Sequence, residues 1–293
     1  MAKLKPEAEF AVGGSPDWIA VDELIYVSNM PKNAIERIDP KLNKTLPEVT
    51  GLSKPCSGLA VGFGTLWVPN CGNGMLMRVD LKTGKVTASI QTGVANLEGG
   101  IAVSADSVWM LTKADSTLAR IDPLSNRIVA EVPLPTGCFT AAYGLGAIWV
   151  TCTATDQVIR VDSATNLIVA QIPVGAKPRF LAVGEGAVWT LNQAAGNVSR
   201  INPETNKVVA TIEVGVPGPG GDISAGEGSV WVTSFEYPLS RIDPDSNKVA
   251  QQFVGPGGDA VRAGKGYVWL CDLRNGKVWK FDPKLIMATV GDK

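Results

Sequence analysis

Over most of the chain, apolar and polar residues alternate with a period of two in short runs, as in Lys207-Val208-Val209-Ala210-Thr211-Ile212-Glu213-Val214. That pattern buries one face of a strand and leaves the other wet. No stretch sustains the 3.6-residue period of an amphipathic helix. The runs are separated by Phe63-Gly64, Lys82-Thr83-Gly84, Pro123-Leu124-Ser125-Asn126 and Pro203-Glu204-Thr205-Asn206, which supply Gly and Asn where a tight turn needs positive φ. Strands therefore come in groups of four, for example Ser57–Gly62, Thr65–Cys71, Met75–Leu81 and Lys85–Gln91.

These groups repeat. An Arg-x-Asp-like marker recurs at Arg37 to Asp39, Arg78 to Asp80, Arg120 to Asp122, Arg160 to Asp162, Arg200 to Asn202, Arg241 to Asp243 and Lys280 to Asp282, in steps of 41, 42, 40, 40, 41 and 39 residues. An aromatic inside a β-branched run keeps the same beat at Tyr26, Trp67, Trp109, Trp149, Trp189, Trp231 and Trp269. A period near 40 with four strands per unit is the signature of a β-propeller, whose blades bury both faces against their neighbours around an axis. The expected fold is all-β: a single seven-bladed propeller domain over residues 1–293, made of four-stranded antiparallel blades. A ring must not leave an unpaired seam. Phe10-Ala11-Val12-Gly13 matches the outer-strand ending Ile212-Glu213-Val214-Gly215, so an N-terminal strand over about residues 8–13 is expected to complete the last blade. Ala288-Thr289-Val290-Gly291 is the competing candidate.

The repeat, written out as Gly186-Ala187-Val188-Trp189-Thr190-Leu191-Asn192, then Gly196-Asn197-Val198-Ser199-Arg200-Ile201-Asn202-Pro203, then Asn206-Lys207-Val208-Val209-Ala210-Thr211-Ile212, resembles the bacterial seven-bladed propellers of the YVTN-repeat and virginiamycin B lyase (streptogramin lyase) type. The resemblance extends over essentially the whole chain. It implies a propeller fold and, often, an extracytoplasmic location. In the lyase it also implies a histidine base and a magnesium ion at the propeller mouth.

Composition removes that last implication, because the 293 residues include no histidine. Ser-His-Asp and Cys-His pairs, His general bases and His-containing metal sites are excluded with it. The 27 Lys and Arg nearly balance the 28 Asp and Glu, so there is no electrostatic footprint for nucleic acid or an anionic membrane. No apolar run approaches the roughly 18–20 residues of a membrane span, and the chain reads as soluble. Met1 to Glu7 carries two lysines with no apolar run behind them and does not read as a signal peptide.

Markers present in every blade read as scaffold: strand-end charge pairs or turn caps for the Arg-x-Asp motif, inter-blade core for the tryptophans. Function is expected where blades differ, at the mouth of the central channel. The starts of the inner strands place Asp17, Trp18, Phe139, Arg179, Phe180, Asp222 and Asp259 there, joined by Glu98 and Lys177. The inner-strand position held by Ala20, Ala60, Ala102, Ala142, Ala182 and Ser224 is Arg262 in the last blade. A guanidinium near the axis must reach the channel or pair with a carboxylate, and Asp259, Asp222 and Glu98 are candidate partners. Asp17, Trp18, Phe139, Arg179, Phe180, Asp259 and Arg262 are thus candidate ligand-binding residues for a small anionic or zwitterionic molecule.

Without histidine, catalysis at the same mouth would fall to Glu98, Asp222 or Asp259 as general base, Lys177 as base or Schiff-base amine, and Tyr237 as acid. Such an enzyme would be a lyase or hydrolase. Axis-facing carboxylates would also suit a hard cation such as Mg²⁺ or Ca²⁺, although no spacing signature calls for a metal or other cofactor. A protein-interaction scaffold is the third reading. A small-molecule ligand, no nucleic acid or membrane partner and a monomeric state are expected.

The cysteines locate the compartment. In the second repeat the Phe63-Gly64 hairpin pairs residues whose numbers sum to 127, which sets Cys56 opposite Cys71. In the fourth, Cys138 falls one step out of register from Cys152, which a bulge would repair. Two disulfides, Cys56–Cys71 and Cys138–Cys152, are expected, with Cys271 left free. They point to the periplasm or to secretion; reduced thiols in a cytoplasmic protein are the alternative.

Overall fold

A computed structural model describes residues 2–56, 58–93, 100–113, 116–215, 220–234, 237–254 and 258–284. Seven antiparallel sheets of at least four strands follow one another around a ring. Their innermost strands are Pro16–Val21, Ala60–Gly62, Ile101–Val103, Cys138–Gly144, Pro178–Gly184, Ile223–Gly226 and Val261–Gly264, and blades one to seven take their numbers from that order. Phe63 and Gly64 both have positive φ, 56° and 67°, so the inner hairpin of blade two closes through the tight turn its sequence announced. The inner strand of blade two begins at Ala60 rather than Ser57. Before it, pairing is reduced to a single bridge between Pro55 and Asn70.

The N-terminus closes the ring. Ala8–Ala11 pairs antiparallel with Lys277–Phe281 as the outer strand of blade seven, burying Phe10 and Val12 in the cluster that contains Trp269 and Val278. The competing C-terminal motif at 288–291 lies outside the described residues. Just upstream, Ala2–Lys3 pairs in parallel with Lys248–Val254 as a fifth strand on blade six. The first residues therefore fasten two blades.

The repeated markers form a latch that runs around the ring. The six blade tryptophans are fully buried, and the Arg of the same blade lies over the ring in blades two to six, with its Cζ 4.8 Å from Trp67 for Arg78 and 5.0 Å from Trp149 for Arg160. The guanidinium then crosses to the next blade. Arg78 Nη1 donates to Pro123 O and Asn126 Oδ1, Arg160 Nη1 to Pro203 O and Asn206 Oδ1, and Arg200 Nη1 to Pro244 O and Asn247 Oδ1, all within 2.6–2.8 Å. Each of those asparagines sits at positive φ. Its turn role was visible in the sequence; its role as acceptor for a neighbouring blade was not.

Two blades vary the device. Blade two carries Gly84 at the turn position, and a Cβ there would lie 2.8 Å from Arg37 Nη1; Arg37 Nη2 instead donates to the carbonyls of Leu81 and Lys82. In blade seven Lys280 substitutes for Arg, reaching Pro40 O and Asn43 Oδ1 across the seam and lying over Tyr267 at 3.8 Å. Of the two readings of the marker, charge pair or turn cap, the turn cap is the one that forms. The Asp caps its own turn, as Asp80 Oδ1 does by accepting from the N–H groups of Lys82 and Thr83, which leaves the Arg free for the next blade.

Both expected disulfides are present, Cys56–Cys71 in blade two and Cys138–Cys152 in blade four, and Cys271 is a free, buried thiol. Cys138 faces Cys152 because the register slips between Cys138 and Ala141. Bridges of this kind form and persist in an oxidising environment.

Candidate functional site

The inner strands enter from one end of the ring, and their first residues meet at the mouth. Asp17, Trp18, Arg179, Phe180, Asp222 and Asp259 share the wall of one cavity of about 270 Å³. Trp18 and Phe180 meet edge to face with ring centroids 5.6 Å apart, and Phe139 packs behind Phe180 at 5.9 Å. Arg179 lies across both phenylalanines, its Cζ 4.4 Å from the Phe139 ring and 5.6 Å from that of Phe180. Aromatic faces thus hold a guanidinium in place at low entropic cost. Phe139 supports this wall without lining the cavity.

Asp222 is buried and held on both carboxylate oxygens. It is 4 % exposed; Oδ1 accepts from Ile223 N–H at 2.8 Å, and Oδ2 accepts from Val261 N–H at 3.1 Å and from Arg262 Nη1. Burial pushes its carboxyl above the usual range, opposed by the Arg262 charge and the two backbone donors. The approach to it depends on Gly221, which has φ of 88° and where a Cβ would lie 2.0 Å from Thr233 O. Only glycine fits there, and it lets Asp222 N–H reach Thr233 Oγ1 at 2.7 Å.

Cys271 reports the local field. Its Sγ donates to Asp17 O at 2.9 Å, and its thiol is pushed well up by burial first and then by Asp17, Asp259 and Asp222. Three carboxylates therefore bear on one point from blades one, six and seven. Among the described residues, however, no three His, Cys, Asp or Glu side chains are gathered closely enough to hold a metal ion.

Other candidates fall elsewhere. Arg262 occupies the register position given to alanine in blades one to five, opposite Trp269, and faces a second cavity of about 350 Å³ that runs down the axis. Its Cζ lies 5.7 Å from the Trp18 ring, so Trp18 stands between the two cavities. Lys177 is exposed and lines neither. Its backbone closes the entry to blade five, with N–H donating to Asp156 Oδ1 and O accepting from Gln193 N–H, at a φ of 52°. Lys54 has the same conformation and the same two kinds of contact at the entry to blade two, so the backbone of Lys177 repeats an architectural feature of the propeller. Tyr237 lines neither cavity. Glu98 lies outside the described residues.

The arrangement has the fold of virginiamycin B lyase. It superposes on a streptogramin B lyase with a TM-score of 0.77 at 20 % identity, over 92 % of this chain and 93 % of that one. The virginiamycin B lyase of Staphylococcus aureus gives a TM-score of 0.77 at 18 % identity, over 93 % of this chain and 97 % of the other. A catalytically inactive histidine-to-alanine variant of the Staphylococcus aureus enzyme, solved with quinupristin, gives 0.72 at 17 % identity over the same shares. No family model matches the chain, and no curated protein matches it by sequence.

Proposed function

We propose that this propeller binds a small zwitterion at the mouth of its channel, in the periplasm or the secreted space. The reading is carried by one observation: the guanidinium of Arg179 and the carboxylates of Asp17 and Asp259 share one cavity with the faces of Trp18 and Phe180. A carboxylate on the ligand pairs with Arg179, an ammonium group with Asp17 and Asp259, and the apolar remainder lies against the rings. A purely anionic ligand is disfavoured, because among the described residues two carboxylates, Asp17 and Asp259, line the cavity beside the Arg179 guanidinium, the charge of Asp222 being met by Arg262. Asp222 takes no part in ligand exchange, since Arg262 and two backbone donors already occupy it.

The lyase whose fold this chain shares is catalytically inactive in the histidine-to-alanine variant, and this chain has no histidine to offer. That supports binding over the same chemistry. The two disulfides, both at the mouth end of their blades, support the extracytoplasmic assignment.

The test is calorimetric titration of the protein with a panel of amino acids and betaines, alongside matched anions and amines. At least one zwitterion should bind one to one, and Arg179→Met and Asp259→Asn should each weaken it about tenfold or more. Equal affinity for the matched simple anion, or binding indifferent to both substitutions, overturns the reading.

A further inference from the structure

Asp17, Arg179 and Asp259 line the mouth from one register position, three residues before Ala20, Ala182 and Arg262 on their inner strands. The same position is Phe139 in blade four and Gly221 in blade six. In blades two and three it is Ser57 and Gly99, which lie outside the described residues.

A second register position answers to the first. Two residues after the blade tryptophan stand Leu111, Thr151, Leu191, Thr233 and Cys271 in blades three to seven. Thr151 Oγ1 donates to Arg179 O at 2.9 Å, Thr233 Oγ1 to Asp259 O, and Cys271 Sγ to Asp17 O at 2.9 Å. Each of these bonds runs from one blade to the charged residue that opens the next. Where the next blade opens on Phe139 or Gly221, the preceding blade carries Leu111 or Leu191, whose side chains have nothing to donate. Donor and charge therefore occur together, and are absent together, at every junction whose entry residue is described.

The three donors are fully buried, and the two hydroxyls are oriented from both sides. Thr151 Oγ1 accepts from Thr140 N–H at 3.1 Å, and Thr233 Oγ1 accepts from Asp222 N–H at 2.7 Å. An amide can only donate, so the hydroxyl proton is left for a carbonyl; at Thr233 that of Asp222 is farther off, at 3.4 Å, than that of Asp259. A carbonyl held in this way fixes the peptide plane beside the charged residue, and with it the point from which the side chain enters the cavity. Asp259 and Asp17 stand on the adjacent blades seven and one, and Arg179 stands on blade five.

We propose that Thr151, Thr233 and Cys271 are positioning residues of the mouth, a role that rests on the zwitterion reading of that site. Thr151 sets Arg179 for the carboxylate end of the ligand, and Thr233 and Cys271 set Asp259 and Asp17 for its ammonium end.

Nitrogen-15 relaxation of the ligand-free protein reads the anchors whatever the mouth binds. Thr151→Val keeps the shape and removes the donor; it should loosen the Arg179 Nε–H and leave the Asp259 amide unchanged, and Thr233→Val should do the reverse. Titration with leucine, 4-methylpentanoate and 3-methylbutylamine then reads the two ends. Thr151→Val should weaken leucine and the acid about fivefold or more and spare the amine, whereas Thr233→Val and Cys271→Ala should weaken leucine and the amine and spare the acid. Serine at any of the three positions keeps a donor and should restore both affinity and order. Arg160→Ala, a latch variant outside both cavities, controls for stability: it should lower the melting temperature with neither selective loss. Unchanged order at Arg179 and Asp259 overturns the proposal, and so do losses that strike both ends alike or that Arg160→Ala reproduces. A wild-type protein that binds no zwitterion overturns the reading of the mouth instead, and the relaxation result then decides the anchors alone.

Discussion

Arg262 donates to Asp222 across 40 residues of sequence, from the inner strand of blade seven to the residue that precedes the inner strand of blade six, and each of the two faces a different cavity. The pair is a partition as much as a bond. It gives the mouth an excess of carboxylates and the channel a lone guanidinium.

Breaking the pair from the cation side should be expensive. Arg262→Met leaves a buried carboxylate with only its backbone donors, at a cost of about 3 kcal/mol, the low end for a buried pair because the guanidinium keeps some exposure. Adding Asp222→Asn should recover much of that loss. The loss should also depend on pH. Without Arg262 the Asp222 carboxyl, already raised by burial, rises further. The native state then retains a proton that the unfolded chain releases, so stability falls as pH increases from about 4 upward through the raised value. Urea melts at several pH values read this directly; a variant whose stability is flat across that window contradicts the argument.

The latch between blades predicts a graded response. Arg160→Ala removes two hydrogen bonds into blade five and a stacking contact on Trp149, and should cost about 2 kcal/mol. Arg160→Lys should cost less, because Lys280 already performs the same reach at the seam. Chemical denaturation of the two variants compares them; equal losses would show that the fork geometry of Arg decides the energy.

Closure by the N-terminus predicts that removing residues 1–12 exposes the edge of Lys277–Phe281 and the face that Phe10 and Val12 cover. The truncated protein should melt at lower temperature and associate through the open edge. Phe10→Ala alone should cost about 3 kcal/mol. Size-exclusion chromatography and thermal melts test both, and a truncated chain as stable as the whole would sink the closure argument.

Thiol titration separates the cysteines. One thiol should react when the unreduced protein is denatured, and five after reduction. None should react in the native state, where Cys271 is buried and its thiol pushed well up. The bridged cysteines lie 15 and 14 residues apart in sequence, so reduction should cost about 3 kcal/mol per bridge by the chain-entropy account. More than one reactive thiol in the unreduced, denatured chain would remove a bridge.

Much of the architecture was legible because a propeller is made of local units. A hairpin is specified by its own alternation and turn, and a period of about 41 residues stacks the units whatever else the chain does. The pairing of Cys56 with Cys71 followed from a two-residue turn, and that of Cys138 with Cys152 needed only one bulge. The reach of Arg160 into the next blade was hidden, because a motif present in every repeat says nothing about which neighbour it touches. Lys177 looked chemical for the opposite reason: a lone cation beside candidate site residues, whose backbone role becomes visible only when Lys54 is seen in the same conformation.

The strands, the blade count, the absence of histidine chemistry and the odd Arg262 among alanines were decided by the sequence itself, since each depends on residue types and spacings within one repeat. Which carboxylate Arg262 meets, which cavity each partner faces and how Trp18 divides the axis were decided by the tertiary structure. Those relations depend on the angle at which seven separately specified sheets converge, and no local pattern encodes a distance between blades.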